Sequence, residues 1–166
     1  AMTLNGTKQI AQSVEIHAST DFVWEVLSDS RLLPRWVPAV DEVTSCSLDG
    51  EGVGATRSCT ANLAGKSGTM VERCVEYTPT TRLAYLVDDE SFGMRKMFDD
   101  YGFSLNLERL GSERTRVTIE THYTPRNAAF AAMNAILLRR QFRNVANDIL
   151  DGLKTFTEAR QVATAE

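Results

Sequence analysis

The stretch Leu138-Arg139-Arg140-Gln141-Phe142-Arg143-Asn144-Val145-Ala146-Asn147-Asp148-Ile149-Leu150-Asp151-Gly152-Leu153-Lys154-Thr155-Phe156 decides the fold. Leu138, Phe142, Val145, Ile149, Leu153 and Phe156 recur at three- and four-residue steps, the stripe of a helix packed on one side. Just upstream, Pro125 ends an alternating segment and Asn127 supplies an N-cap oxygen. One helix is therefore predicted from Asn127 to about Arg160. At 1.5 Å per residue such a helix is about 45 Å long, enough to span a whole sheet.

Working back from that helix, the chain reads as strands and turns. Val117, Ile119, Thr121 and Tyr123 alternate with polar neighbours, as do Tyr101, Phe103, Leu105 and Leu107 on the far side of the turn at Leu110-Gly111-Ser112-Glu113. Leu83 to Asp88 and Thr69 to Tyr77 flank the corner Thr78-Pro79-Thr80-Thr81, and Ala64-Gly65-Lys66-Ser67-Gly68 turns into Val53 to Leu63. Asp49-Gly50-Glu51-Gly52 is a further hairpin turn, preceded by a strand from Val40 to Leu48. Ser91 to Asp100 reads as loop, as a strand start, or as both.

Near the start, Lys8 to His17 alternates as a strand with Ile10, Val14 and Ile16 on one face. Ser19, Thr20 and Asp21 then open a helix carrying Phe22, Val23, Val26 and Leu27, and a second short helix covers Ser30 to Arg35 before Pro38. The fold class is α+β: a curved antiparallel sheet gripping a long C-terminal helix, with two short helices after the first strand. Residues 8–160 form one domain, and the ends, 1–7 and 161–166, are expected to be flexible.

Composition narrows the function. With 43% hydrophobic and 24% charged residues the chain is an ordinary globular one, which argues against disorder. A net charge of −4, with no basic run, disfavours a nucleic-acid partner. Cys46, Cys59 and Cys74 lack metal-ligand spacing, and with only His17 and His122 no metal or cofactor is implied. The cysteines read as small buried hydrophobes in a reducing, cytoplasmic setting, and no apolar run approaches the ~18 residues of a spanning helix.

The segments Val14-Glu15-Ile16-His17-Ala18-Ser19, Phe22-Val23-Trp24-Glu25-Val26-Leu27-Ser28-Asp29, Leu33-Pro34-Arg35-Trp36 and Gly52-Val53-Gly54-Ala55 carry a resemblance. So do Glu72-Arg73-Cys74-Val75-Glu76-Tyr77-Thr78-Pro79-Thr80-Thr81-Arg82-Leu83-Ala84-Tyr85 and Gly111 followed by Thr115-Arg116-Val117-Thr118. Together they resemble the START/polyketide cyclase-like (SRPBCC) superfamily over about residues 8 to 160. The resemblance implies the helix-grip fold and a small hydrophobic ligand held between sheet and helix. Its members include lipid carriers, hormone receptors, quinone-binding proteins and aromatic cyclases, so it does not settle the chemistry.

Candidate ligand-binding residues are Trp36, Glu72, Tyr85, Tyr101, Phe103, Met133 and Leu137. Trp36 either lines the cavity mouth or anchors the short helix. Glu72 shares its strand face with Met70 and Cys74; if that face is inward, Glu72 enters the cavity and is the candidate acid–base group. The opposite parity makes it a surface residue. Tyr85 and Tyr101 share parity with Leu83, Val87 and Phe103, so an inward hydroxyl is available to orient a ligand. His17 and His122 are predicted to point outward. Ala128 to Leu138 is apolar nearly all round, with Met133 and Leu137 suited to a cavity wall. Because Arg139, Arg140 and Arg143 follow, a membrane-surface patch is the rival reading.

Three functions follow: a carrier or sensor for a lipid, a polyketide-like aromatic or a quinone-like molecule; a polyketide cyclase/dehydratase-like enzyme using the same cavity; or a protein-interaction module. Either a monomer or a homodimer is compatible with all three.

Overall fold

The computed structural model describes residues 3–47 and 52–165. Seven strands form one antiparallel sheet: β1 (Lys8–Ile16), β2 (Val40–Cys46), β3 (Thr56–Leu63), β4 (Lys66–Thr78), β5 (Arg82–Glu90), β6 (Phe98–Gly111) and β7 (Arg114–Pro125). Their spatial order is β1-β7-β6-β5-β4-β3-β2, so the sequence-first strand closes one edge and β2 the other. Register shifts in β1, β2, β4 and β6 bend the sheet around its inner face.

Two short helices cross between the edges. Helix α1 (Thr20–Ser28) starts at Ser19, whose hydroxyl accepts from the Phe22 N–H at 3.2 Å, and it buries Val23, Trp24, Val26 and Leu27. The second predicted helix is split: a 3₁₀ turn (Ser30–Leu32) leads into α2 (Leu33–Trp36), with Pro34 in its first turn.

The C-terminal helix runs from residue 128 to 165, as α4 (Ala128–Met133), a π turn (Asn134–Leu138) and α5 (Arg139–Ala165). Helix α5 lies along β1 and against α1 and α2. It buries Ala146, Leu150 and Leu153 against Ile16, Val117 and Ile119. Gly152 is required by the fit, because a Cβ there would sit 2.0 Å from the Trp36 carbonyl oxygen. This is the helix-grip fold.

Several boundaries differ from the sequence reading. The turn expected over residues 64–68 contains only Ala64 and Gly65, both at positive φ, and β4 begins at once with Lys66. Ser91 to Asp100 resolves into a short helix, α3 (Met94–Met97), and the start of β6. Of the predicted hairpin turn at Asp49-Gly50-Glu51-Gly52, only Gly52 is among the described residues.

The described residues near both ends make defined contacts. Residues Leu4–Thr7 cross the outer face of β6 and β7, where the Tyr123 N–H donates to the Thr7 carbonyl at 3.0 Å. A Cβ on Gly6 would meet backbone atoms of Asp100 and Tyr123 below 3 Å, which keeps that crossing close. His122 is on the outer face but covered by this segment, and its Nδ1 donates to the Gly6 carbonyl at 3.1 Å. At the other end, residues 161–165 continue α5.

Candidate functional site

Inner-face positions on β3, β4 and β5 bring charge into an apolar layer. Arg57 is 4% exposed and Glu72 7% exposed, among Cys59, Cys74, Leu83 and Tyr85. The Ala64-Gly65 turn pairs Leu63 with Lys66 and, further along the same ladder, Arg57 with Glu72. Their parity is inward on both strands. The Arg57 Nε–H donates to Glu72 Oε1 at 2.9 Å, and an Nη1–H donates to the Ser30 hydroxyl at 3.2 Å. Ser30 itself is buried in the 3₁₀ turn, beside the Tyr85 phenol.

The Arg57 guanidinium lies 3.8 Å above the Tyr85 ring, and Tyr85 stacks on Phe103 with centroids 5.9 Å apart. A guanidinium has five N–H donors, of which the described protein engages two, leaving donors for another acceptor. Burial alone would make Arg57 easier to deprotonate, but the Glu72 carboxylate, with Tyr85 and Cys59 adding to it, raises its pKa on balance. It therefore remains a fixed cation in a low-dielectric layer. Burial likewise pushes the Tyr85 phenol up, with Arg57 opposing. The Cys59 thiol is pushed up to about 11 by burial first and by Glu72 second, so it is an inert thiol. All three cysteines are free; Cys59 and Cys74 are buried, and Cys46 on the edge strand is half-buried.

A second cluster lies under the helix. Tyr101 stacks on Tyr123 at 5.2 Å, and both meet the Phe142 ring edge-on, as does Phe98. Burial raises the pKa of Tyr101 strongly, so its phenol stays protonated throughout the neutral range. The sheet thus presents an apolar, aromatic inner face with one charged pair set into it.

The predicted residues divide into four groups. Glu72 and Tyr85 are brought together on Arg57, with Phe103 stacked on Tyr85. Trp36 is buried in the core where α2 meets α5, and its indole N–H has no hydrogen-bond partner among the described residues. Tyr101 is inward but belongs to the Phe142 cluster. Met133 and Leu137 are corrections: they are 43% and 49% exposed and form no wall with the others. The inward position of their turn is Asn134, four residues before Leu138, so both neighbours point away.

Two open clefts, of about 460 and 410 Å³, flank α3 and are lined by charged residues such as Asp88, Arg95 and Lys96. Neither lies between helix and sheet. Between helix and sheet, Tyr85 and Trp36 are buried, while Tyr101 and Phe103 stay half-buried. Sequence reasoning missed Arg57 and Ser30. Among the described residues no three His, Cys, Asp or Glu side chains form a metal site, and no helix is long and apolar enough to cross a membrane.

Comparison with known proteins adds a frame. The family model described as polyketide cyclase / dehydrase and lipid transport matches residues 7–158. A search of curated proteins returns no match. Among solved structures, the chain is similar to the Zhui aromatase/cyclase of a Streptomyces species, with a TM-score of 0.70 and 21% identity, covering 91% of this chain and 93% of that one. A Thalictrum flavum norcoclaurine synthase point mutant, in complex with a transition-state analogue, gives a TM-score of 0.74 at 16% identity, covering 96% and 99%. A START superfamily protein from Mycobacterium smegmatis gives 0.58 at 13%, covering 84% and 97%. Identities this low establish a shared fold.

Proposed function

The chain belongs to the polyketide cyclase / dehydrase and lipid transport family, and from that premise we propose that it binds a small hydrophobic molecule between the inner sheet face and the long helix. Arg57 and Glu72 meet the polar end of that molecule, and Tyr85, Tyr101 and Phe103 supply aromatic surface. A lipid, a polyketide-like aromatic or a quinone-like compound has this division into apolar body and oxygen-bearing end.

The observation that carries the reading is the buried Arg57–Glu72 pair. Desolvating two charges costs several kcal/mol per ion, about as much as their attraction returns, so such a pair is a poor device for stability alone. Unengaged guanidinium donors in an apolar layer suit a ligand oxygen, because polar groups placed among apolar walls fix orientation.

Catalysis is the second reading, favoured by the acid–base and donor groups lying side by side. Glu72 takes a proton from carbon next to a ligand carbonyl, and Arg57 holds the enolate oxygen that results. The enolate carbon then bonds to a second carbonyl carbon of the same molecule, and Glu72 returns its proton to the new alkoxide. The similarity to an aromatase/cyclase and a norcoclaurine synthase supports a reaction of this general kind.

Native mass spectrometry of freshly purified protein tests binding. A retained apolar molecule is expected, with occupancy at least tenfold lower in the Arg57→Gln/Glu72→Gln double variant. No retained molecule, together with none in an organic extract of the protein, would remove the proposal. With the molecule identified, Glu72→Gln separates the two readings. An enzyme loses on the order of 10²-fold in turnover while affinity survives, whereas a carrier changes in affinity alone.

A further inference from the structure

The apolar start of the C-terminal helix is turned outward. In Ala128–Leu138 the sole fully buried side chain is Asn134, 1% exposed, while Ile136 is 83% exposed and Leu137 and Met133 about half as much. The alanines at 128, 129, 131, 132 and 135 are exposed as well. This orientation is held by polar contacts. Tyr123 donates its hydroxyl hydrogen to Asn134 Oδ1, Asn134 Nδ2 donates to Gln9 Oε1 at 3.3 Å, and Asn127 caps the Phe130 N–H at 2.9 Å. An amphipathic element is thus fixed with its polar side inward and its apolar side in solvent, the reverse of core packing. Exposed apolar patches of this kind mark interaction surfaces.

Charge identifies what covers it. From Arg126 to Asn147 the chain has four arginines and no Asp or Glu, although the whole protein carries −4. Arg140 and Arg143 are exposed and in no ion pair among the described residues. Met133, Ile136, Leu137 and Arg140 are separated by three, one and three residues, so the apolar ridge runs directly into the basic one. A second copy of the chain would bring like charges together with no carboxylate on the segment to offset them. The surface is also a ridge, not a groove, which suits insertion into a soft interface.

We propose that residues 128–143 dock the protein on an anionic lipid bilayer, with Met133, Ile136 and Leu137 at the boundary between headgroups and acyl chains and Arg140 and Arg143 on lipid phosphates. This docking is independent of what the inner face binds.

Cosedimentation of the full chain with vesicles of phosphatidylglycerol and phosphatidylcholine (1:1) tests it, against pure phosphatidylcholine vesicles. Binding is expected to the anionic vesicles and to weaken as salt is raised. Neutralising both arginines, Arg140→Gln/Arg143→Gln, lowers the partition coefficient about 30-fold, at roughly 5-fold each. Ile136→Asp lowers it at least tenfold, and Val162→Asp, on the exposed far end of the helix, leaves it within twofold. All of these positions are exposed, so unchanged far-UV spectra and melting curves are expected alongside. No binding to anionic vesicles at low salt, or binding that ignores these substitutions, overturns the proposal. So does a concentration-dependent dimer that Ile136→Asp dissociates, which would make a second copy the occupant.

Discussion

Ala128–Leu138 and Arg139–Ala165 are consecutive stretches of one helix, and the more apolar of the two is the more exposed. In the first stretch Asn134 is the one polar residue, and it is also the one buried side chain. The second stretch is mostly polar, yet it seats Leu150 and Leu153 in the centre of the core. Total hydrophobicity did not decide burial. Spacing did, because a stripe repeating every three or four residues has a direction and a segment that is apolar all round has none. Direction came instead from the polar anchor of Asn134 on Tyr123 and Gln9.

The largest expected effect follows from truncating one leucine in each stretch. Leu153→Ala should lower unfolding free energy by about 2–5 kcal/mol, whereas Leu137→Ala should change it by less than about 0.5 kcal/mol. Urea unfolding of both variants measures the difference, and equal losses would break the comparison.

Next comes the anchor. Asn134→Leu strands the buried Tyr123 hydroxyl and removes one of the three hydrogen bonds of the half-buried Gln9 amide, and should cost about 1–3 kcal/mol despite adding an apolar side chain. Hydrogen exchange should then rise across Ala128–Leu138 and stay unchanged around Leu153. A variant as stable as the parent, with no change in exchange, would show that the anchor does not orient the segment.

The smallest effect is electrostatic. Burial alone would raise the Glu158 pKa from its ordinary 4.5, but hydrogen bonds from Lys154, the His17 ring and the His17 N–H lower it. A depressed carboxylate stabilises the fold above its unfolded pKa and loses that contribution as pH falls through the folded value. Glu158 retains about a quarter of its exposure, so the term is below about 1 kcal/mol. Glu158→Gln should therefore be slightly less stable than the parent at pH 7 and equal to it in acid below the carboxylate range. A difference that persists there would assign the effect to packing.

Much of the fold was legible because its signals are local. Pro125, Asn127 and the stripe from Leu138 to Phe156 set the helix, and alternation set the strands. The aromatic part of the site followed from the parity of Tyr85 and Phe103. Arg57 stayed hidden because the turn after Leu63 was read as five residues instead of two. With Ala64-Gly65 alone as the turn, counting back along both strands places Arg57 opposite Glu72. Ser30 carried no signal: a serine opening a short helix looks like a cap, and only the tertiary approach of Tyr85 and Arg57 gives its hydroxyl another use. Met133 and Leu137 were misplaced because apolar composition was taken for inward direction, although stepping four residues back from Leu138 reaches Asn134.

The proposed apolar ligand binds inside, on Arg57 and Glu72, and not on the exposed apolar stretch of the helix. Titrating the co-purified molecule, or its nearest available analogue, into isotopically labelled protein and following amide and arginine Nε–H resonances tests this most directly. Saturable shifts are expected at the Arg57 Nε–H and at the Glu72, Tyr85 and Phe103 amides, with residues 133–137 unmoved. Shifts confined to Met133, Ile136 and Leu137, with the Arg57 resonance unchanged at saturation, would contradict it.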